Sequence, residues 1–180
     1  MNNQTITNLR TNAITAFQAG ISAADPKKAL KIALEKTPIP LIKNNGSYII
    51  ISIGKAACKM AECALEAIPK SEKTYAIAVT NFENIVPVEG CEVIGASHPI
   101  PCINGFNASK KIINCLTKTT PNDIVVMLVS GGSSALIPAP VDGISLEDKV
   151  IVNKVLISSG FDIYETNLVR QSLSLLKAWL

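Results

Sequence analysis

The chain has 180 residues, 48% of them apolar and only 17% charged, which supplies the core of one domain and excludes intrinsic disorder as its main state. Its formal charge is +3, from 17 basic and 14 acidic residues, with no block of five like charges; a nucleic-acid binder would show a basic stripe. The longest strongly apolar runs, residues 48–53 and 124–129, are far short of the roughly 20 residues a membrane-crossing helix needs.

The first ten residues carry no basic segment followed by an apolar one, so no secretion signal is expected. The five cysteines (Cys58, Cys63, Cys91, Cys102, Cys115) are scattered, and no pair has C-x-x-C spacing. Reduced thiols in a cytoplasmic protein are the expectation. Cys58 and Cys63 fall on a predicted helix and read as small buried hydrophobes.

Apolar residues at helical spacing (Leu9, Ala13, Ile14, Phe17, Ile21) predict a first helix over 8–24. Asp25-Pro26 restarts the chain: Asp25 can cap free amides and Pro26 suits the first helical position. This second helix, to about residue 36, ends before Pro38-Ile39-Pro40. A β-branched run over 47–53 then reads as a strand covered on both faces. It leads through Gly54-Lys55 into a helix over 56–68. Strands are expected over 75–80 and 92–96, a helix over 103–116, and a second fully buried strand over 123–129. Ser145, three residues before Asp148, opens a helix that Gly160 stops. A last helix is expected over 164–179. Alternating buried strands and helices predict an α/β domain, with a mostly parallel sheet flanked by helices. The apolar set Leu175, Leu176, Trp179 and Leu180 either docks on the domain's own core or meets another polypeptide.

Ligands of open α/β sheets sit beyond the carboxyl ends of strands, and three segments fall there. Lys55 follows a buried strand at a helix start, where free amides favour an anion; the alternative is an ordinary exposed lysine. In Ser130-Gly131-Gly132-Ser133-Ser134, two glycines let the backbone fold into a nest of amides suited to phosphate or carboxylate. The alternative is a plain strand-to-helix turn. The pattern is neither a P-loop, nor G-x-G-x-x-G, nor a G-x-S-x-G elbow. His98, the one histidine, sits in the stiff loop Ser97-His98-Pro99-Ile100-Pro101, as a cleft residue or a structural one. One histidine and no tight carboxylate cluster leave too few metal ligands. Arg170, near Asn167, can fork onto an anion or join a surface ion pair.

The stretch from Ser130 through Ile144 to Lys149 resembles the glycerate 2-kinase family of the MOFRL type. So do Asn167-Leu168-Val169-Arg170 with the following residues to Lys177, Gly54-Lys55-Ala56-Ala57, and the Ser97–Pro101 loop. The resemblance implies a Rossmann-like domain and ATP-dependent phosphorylation of D-glycerate to 2-phosphoglycerate with magnesium. Members have also been called hydroxypyruvate reductases, which would use a nicotinamide cofactor. By resemblance Lys55 and Arg170 are catalytic, and Ser130, Gly131, Gly132, Ser133, Ser134 and His98 bind substrate or phosphate. Cys102 stands where the family usually has an acidic residue. The resemblance also implies that residues 1–180 are an N-terminal domain, with the C-terminal domain absent or supplied by a separate chain. On that reading the chain is one wall of a site, self-associating, or an inactive remnant.

Overall fold

The computed structural model describes residues 3–43, 45–70 and 72–177. The chain forms two compact units, Met1–Ile39 and Pro40–Leu180. The first holds helices α1 (Asn3–Ala23) and α2 (Pro26–Lys36). Asp25 caps α2 by accepting from the Lys28 amide, and Pro26 occupies its first turn, as the sequence predicts. Lys28 Nζ donates to Ser22 Oγ at 2.6 Å, tying the two helices across the turn.

The second unit is a four-stranded parallel sheet of β1 (Tyr48–Ile53), β2 (Thr74–Asn81), β3 (Glu92–Ala96) and β4 (Ile124–Val129), in the order β3-β2-β1-β4. Helix α3 (Ala57–Glu66) joins β1 to β2, and α4 (Ile103–Leu116) joins β3 to β4. They cover opposite faces. Ile49, Ile51, Ile53, Ile77 and Val79 pack with Ala108 and Ile112 of α4, whereas Ala78 packs with Ala57 and Ala61 of α3. Small residues on α3 let that helix approach β2 closely, and period-two alternation sends Ile49, Ile51 and Ile53 of β1 to the α4 face. Cys58 and Cys63 are buried on α3, as expected.

Two polar side chains, the buried Tyr48 and the partly exposed Asp123, show how the sheet is closed at its amino end. Tyr48 OH donates to the Pro40 carbonyl at 2.9 Å and accepts from the Ile42 amide at 3.3 Å. Asp123 accepts from the amides of Ser47 and Thr120, both at 2.7 Å, and from the Thr120 hydroxyl. These bonds hold the carboxyl of Asp123 below its usual range, the Thr120 amide contributing most.

Two expectations need correction. β4 is not fully buried: Leu128 is, but Val125, Met127 and Val129 are 41%, 45% and 47% exposed. It is the edge of the sheet, and the α4 core centres on β1 and β2, so β4's residues on that face stay bare among the described residues. The last helix is also shorter. After α6 (Leu146–Ser158), α7 spans Ile163–Ser172 and does not run to residue 179. Both helices start on a capping box, Ser145 with Asp148 and Asp162 with Glu165. Beyond α7 the backbone pairs with the segment after the glycine-rich loop: Leu175 N donates to the Ala139 carbonyl at 2.8 Å, and Val141 N to the Leu173 carbonyl at 3.4 Å. These bonds replace the helical ladder. Leu176 packs against the core and Leu175 is half exposed; Trp179 and Leu180 lie outside the described residues.

Candidate functional site

The chain runs outward from β1 to β3 on one side and returns to place β4 on the other side of β1. This reversal opens a crevice beyond the carboxyl ends of β1 and β4. Gly54-Lys55 and Ser130-Gly131-Gly132-Ser133-Ser134 both lie there, because Ile53 and Val129 end their strands in register.

Backbone and hydroxyl groups lock the two loops together. Ser130 N donates to the Ile53 carbonyl at 2.8 Å, and Lys55 N to the Gly131 carbonyl at 2.9 Å. Ser130 Oγ accepts from the Ala56 amide at 3.1 Å and lies 3.2 Å from the Ile53 carbonyl. Ser133 Oγ approaches the carbonyls of Ile53 (3.0 Å) and Ser130 (2.6 Å). Each hydroxyl has one proton, so Ser130 and Ser133 spend theirs on the loop, and their part in the site is to shape it. The amides are another matter. The N–H groups of Gly131, Gly132, Ser133 and Ser134 have no acceptor among the described residues. Gly132, at φ +92°, turns this run into a concave nest.

Lys55 and His98 meet the loop at Gly132. A Cβ there would lie 3.1 Å from His98 Cδ2 and 3.5 Å from Lys55 Cγ, so the absent side chain lets both residues close on the loop. The His98–Pro99 peptide is cis. Asn84 Nδ2 donates to the Lys55 carbonyl at 3.0 Å and fixes that turn. Glu83, on the short turn after β2, feels the charges of His98 and Lys55. Its carboxyl is held below the usual range chiefly by its own backbone amide and by Asn81 Nδ2 at 2.5 Å. Cys102 Sγ accepts from the Ser97 amide at 3.1 Å and braces the His98 loop. Burial raises the Cys102 thiol, but the hydrogen bonds from Ser97 and the start of α4 outweigh it and leave the group below its ordinary value.

The loop also lines a cavity of about 300 Å³, whose walls include Ser130, Gly132, Ser133, Ser134, Asn167, Arg170, Gln171 and Lys177. Arg170 donates to Asn153 Oδ1. Lys177 Nζ donates to the carbonyl and hydroxyl oxygens of Ser134, both at 2.6 Å. Burial, then the charges of Lys149 and Arg170, bring the Lys177 ammonium down to about 8. Burial does the same to Lys149, whose Nζ donates to the Leu173 carbonyl at 2.9 Å past the end of α7. Thus the loop gathers the predicted residues in two groups: Lys55 and His98 at Gly132, and Arg170 in the cavity. Lys177, Lys149 and Glu83 were not singled out as site residues from the sequence. Lys149 and Lys177 end the two longest motifs, and only the pairing after α7 shows that they converge.

A magnesium ion takes oxygen ligands, commonly one or two carboxylates. The cavity wall named above carries no carboxylate, Glu83 is a single one already held by Asn81, and no group of three His, Cys, Asp or Glu side chains among the described residues could hold a metal. The described residues do not make a magnesium site. No helix among them is long and apolar enough to cross a membrane.

A four-stranded parallel sheet flanked by helices, with a glycine-rich turn and nearby lysine and arginine side chains at its chain reversal, defines a layered α/β domain. The chain belongs to the family described as domain of unknown function DUF4147, whose model matches residues 12–178. It is 37% identical over 163 residues to a glycerate 2-kinase of Pyrococcus horikoshii, covering 87% of this chain and 36% of that protein. It is 36% identical over 161 residues to an Agrobacterium vitis protein named for hydroxypyruvate reductase, covering 89% of this chain and 35% of that one. A crystal structure of glycerate kinase from Thermotoga maritima superposes with a TM-score of 0.81 at 31% identity, over 93% of this chain and 39% of that chain. The chain therefore spans between about one third and two fifths of the relatives it matches.

Proposed function

We propose that this chain supplies the anion-binding wall of a D-glycerate 2-kinase, which moves a phosphoryl group from ATP to the 2-hydroxyl of D-glycerate. The observation that carries the reading is the run of four unpartnered amides at Gly131 to Ser134, with Lys55 beside Gly132 and Arg170 and Lys177 in the cavity wall. Phosphoryl transfer is catalysed mainly by positioning and by neutralising charge on the moving group. Lys55, with its backbone fixed by Asn84 and Gly131, offers its ammonium to the phosphoryl oxygens as charge builds. The nest holds an anionic group through amides that have no acceptor of their own among the described residues. Arg170, steadied by Asn153, clamps charge from the cavity side, and His98 closes on the loop at Gly132. No step is assigned to magnesium.

Turnover is assigned to this wall acting with the length that the relatives have beyond the match. The names of the Pyrococcus and Thermotoga relatives support a kinase. The name of the Agrobacterium relative favours a reductase, but the absence of G-x-G-x-x-G weighs against a nicotinamide site of the usual kind. The test is coupled ADP release with ATP and D-glycerate. It is run on the chain alone and on the chain mixed with a separately made remainder of the Pyrococcus relative. ADP release that needs both D-glycerate and the added remainder is expected. Nicotinamide-dependent reduction of hydroxypyruvate with no ADP release would overturn the kinase reading.

A further inference from the structure

We propose that Lys177, Arg170 and the Ser134 end of the loop form a subsite for a small carboxylate, separate from the side where Lys55 and His98 meet Gly132. The proposal rests on the hydroxy-acid kinase reading of this crevice and names the part of the substrate that each side takes.

Two cations line the cavity, Arg170 on α7 and Lys177 beyond it, and a third, Lys149 on α6, reaches the Leu173 carbonyl between them in sequence. No carboxylate among the described residues pairs with any of them. Lys149 is buried, and Arg170 and Lys177 are half-buried; a partly desolvated charge is stabilised by a counter-charge, which these three lack among the described residues. Lys149 finds the Leu173 carbonyl, and Lys177 finds only the neutral oxygens of Ser134. An ammonium has three protons; Ser134 takes two of those of Lys177, and one is left for a ligand. Arg170 gives one bond to Asn153 and keeps the rest of a planar fork that matches both oxygens of a carboxylate. The Ser134 amide is unpartnered beside them. The cavity, at about 300 Å³, is at the small end of ligand sites. A one- to three-carbon acid suits it better than a nucleotide. Lys55 meets the loop at Gly132 and is not part of the cavity wall, so the two cation sets can hold a carboxylate and a phosphoryl group apart.

Binding to the 180-residue chain is followed by calorimetry without ATP, using three probes: D-glycerate, its neutral amide D-glyceramide, and inorganic phosphate. Wild type is expected to bind D-glycerate at least tenfold tighter than D-glyceramide. Lys177→Met should shrink that ratio to within about threefold, while Lys177→Arg keeps most of it. Phosphate should still shift the Gly131 to Ser134 amides of Lys177→Met in NMR spectra. Arg170→Lys keeps the charge and loses the fork, so its ratio should be intermediate; it carries the test if the methionine variant fails to fold. An undiminished ratio in Lys177→Met overturns the proposal. So does wild-type indifference between acid and amide, or joint loss of glycerate and phosphate, which would mark a general phosphate site. These outcomes are read from binding alone, so they are distinct from failure of phosphoryl transfer.

Discussion

A Cβ on Gly54 would sit 2.2 Å from Ser130 Oγ and 2.5 Å from the Ser130 carbonyl oxygen. Gly54 also has φ +119°, a conformation that side-chain-bearing residues rarely adopt. The approach of these two residues joins the β1 and β4 loops. Gly54→Ala should therefore cost on the order of 3 kcal/mol, from the clash and the backbone strain together. At this chain length that is a melting temperature lower by roughly 6–12 °C. Gly131→Ala is the control, since nothing lies within 4 Å of its Cβ position. Equal melting temperatures for the two variants would show that the loops are not locked at Gly54.

Lys55→Ala should lower kcat by about 10²–10³ and change the KM for D-glycerate by less than about threefold. An interaction made mainly as charge develops on the phosphoryl group behaves this way. Steady-state ADP release separates the two constants. Unchanged kcat with a raised KM would make Lys55 a ground-state binding residue.

The elements were legible where one local signal dominates. β1 is a run of β-branched and apolar residues, α4 matches its periodicity from Ile103 to Leu116, and Ser145 and Asp25 announce helix starts. Non-local facts were not legible. The exposure of Val125, Met127 and Val129 depends on where α4 lies over the sheet, which no pattern within β4 encodes. Residues after Ser172 keep helical spacing, but bonds from Leu175 to Ala139 win over the ladder. The site was legible as loops: Gly54-Lys55 and residues 130–134 do meet. Spacing alone could not show that the hydroxyls of Ser130 and Ser133 are used internally, nor that Lys177 comes back to Ser134.

Asp123→Asn should lower stability at neutral pH and flatten its dependence on acid. The folded carboxyl is held below its ordinary value by the Thr120 amide, the Thr120 hydroxyl and the Ser47 amide. A depressed carboxyl stabilises the fold above its unfolded pKa of about 3.9, and that contribution is lost as pH falls through the folded value. Urea midpoints between pH 6 and pH 3 measure this. A variant whose midpoint falls with acid as steeply as that of wild type would remove Asp123 from the acid limb.

The open edge of β4, with Val125, Met127 and Val129 bare beside it, is the kind of surface that pairs with another chain. Sedimentation velocity of wild type should show association that grows with concentration. Met127→Glu, which puts a charge in the middle of the strip, should shift the chain toward monomer. A wild type that stays monomeric at all concentrations would contradict this.

The nest at residues 131–134 as the seat of an anionic substrate is tested most directly by NMR titration of the chain with D-glycerate. The amides of Gly131, Gly132, Ser133 and Ser134 should shift together with saturable dependence, accompanied by Lys177, while Tyr48 at the opposite end of β1 stays still. Unmoved amides at 131–134, with saturable shifts elsewhere in the chain, would contradict the assignment of this loop.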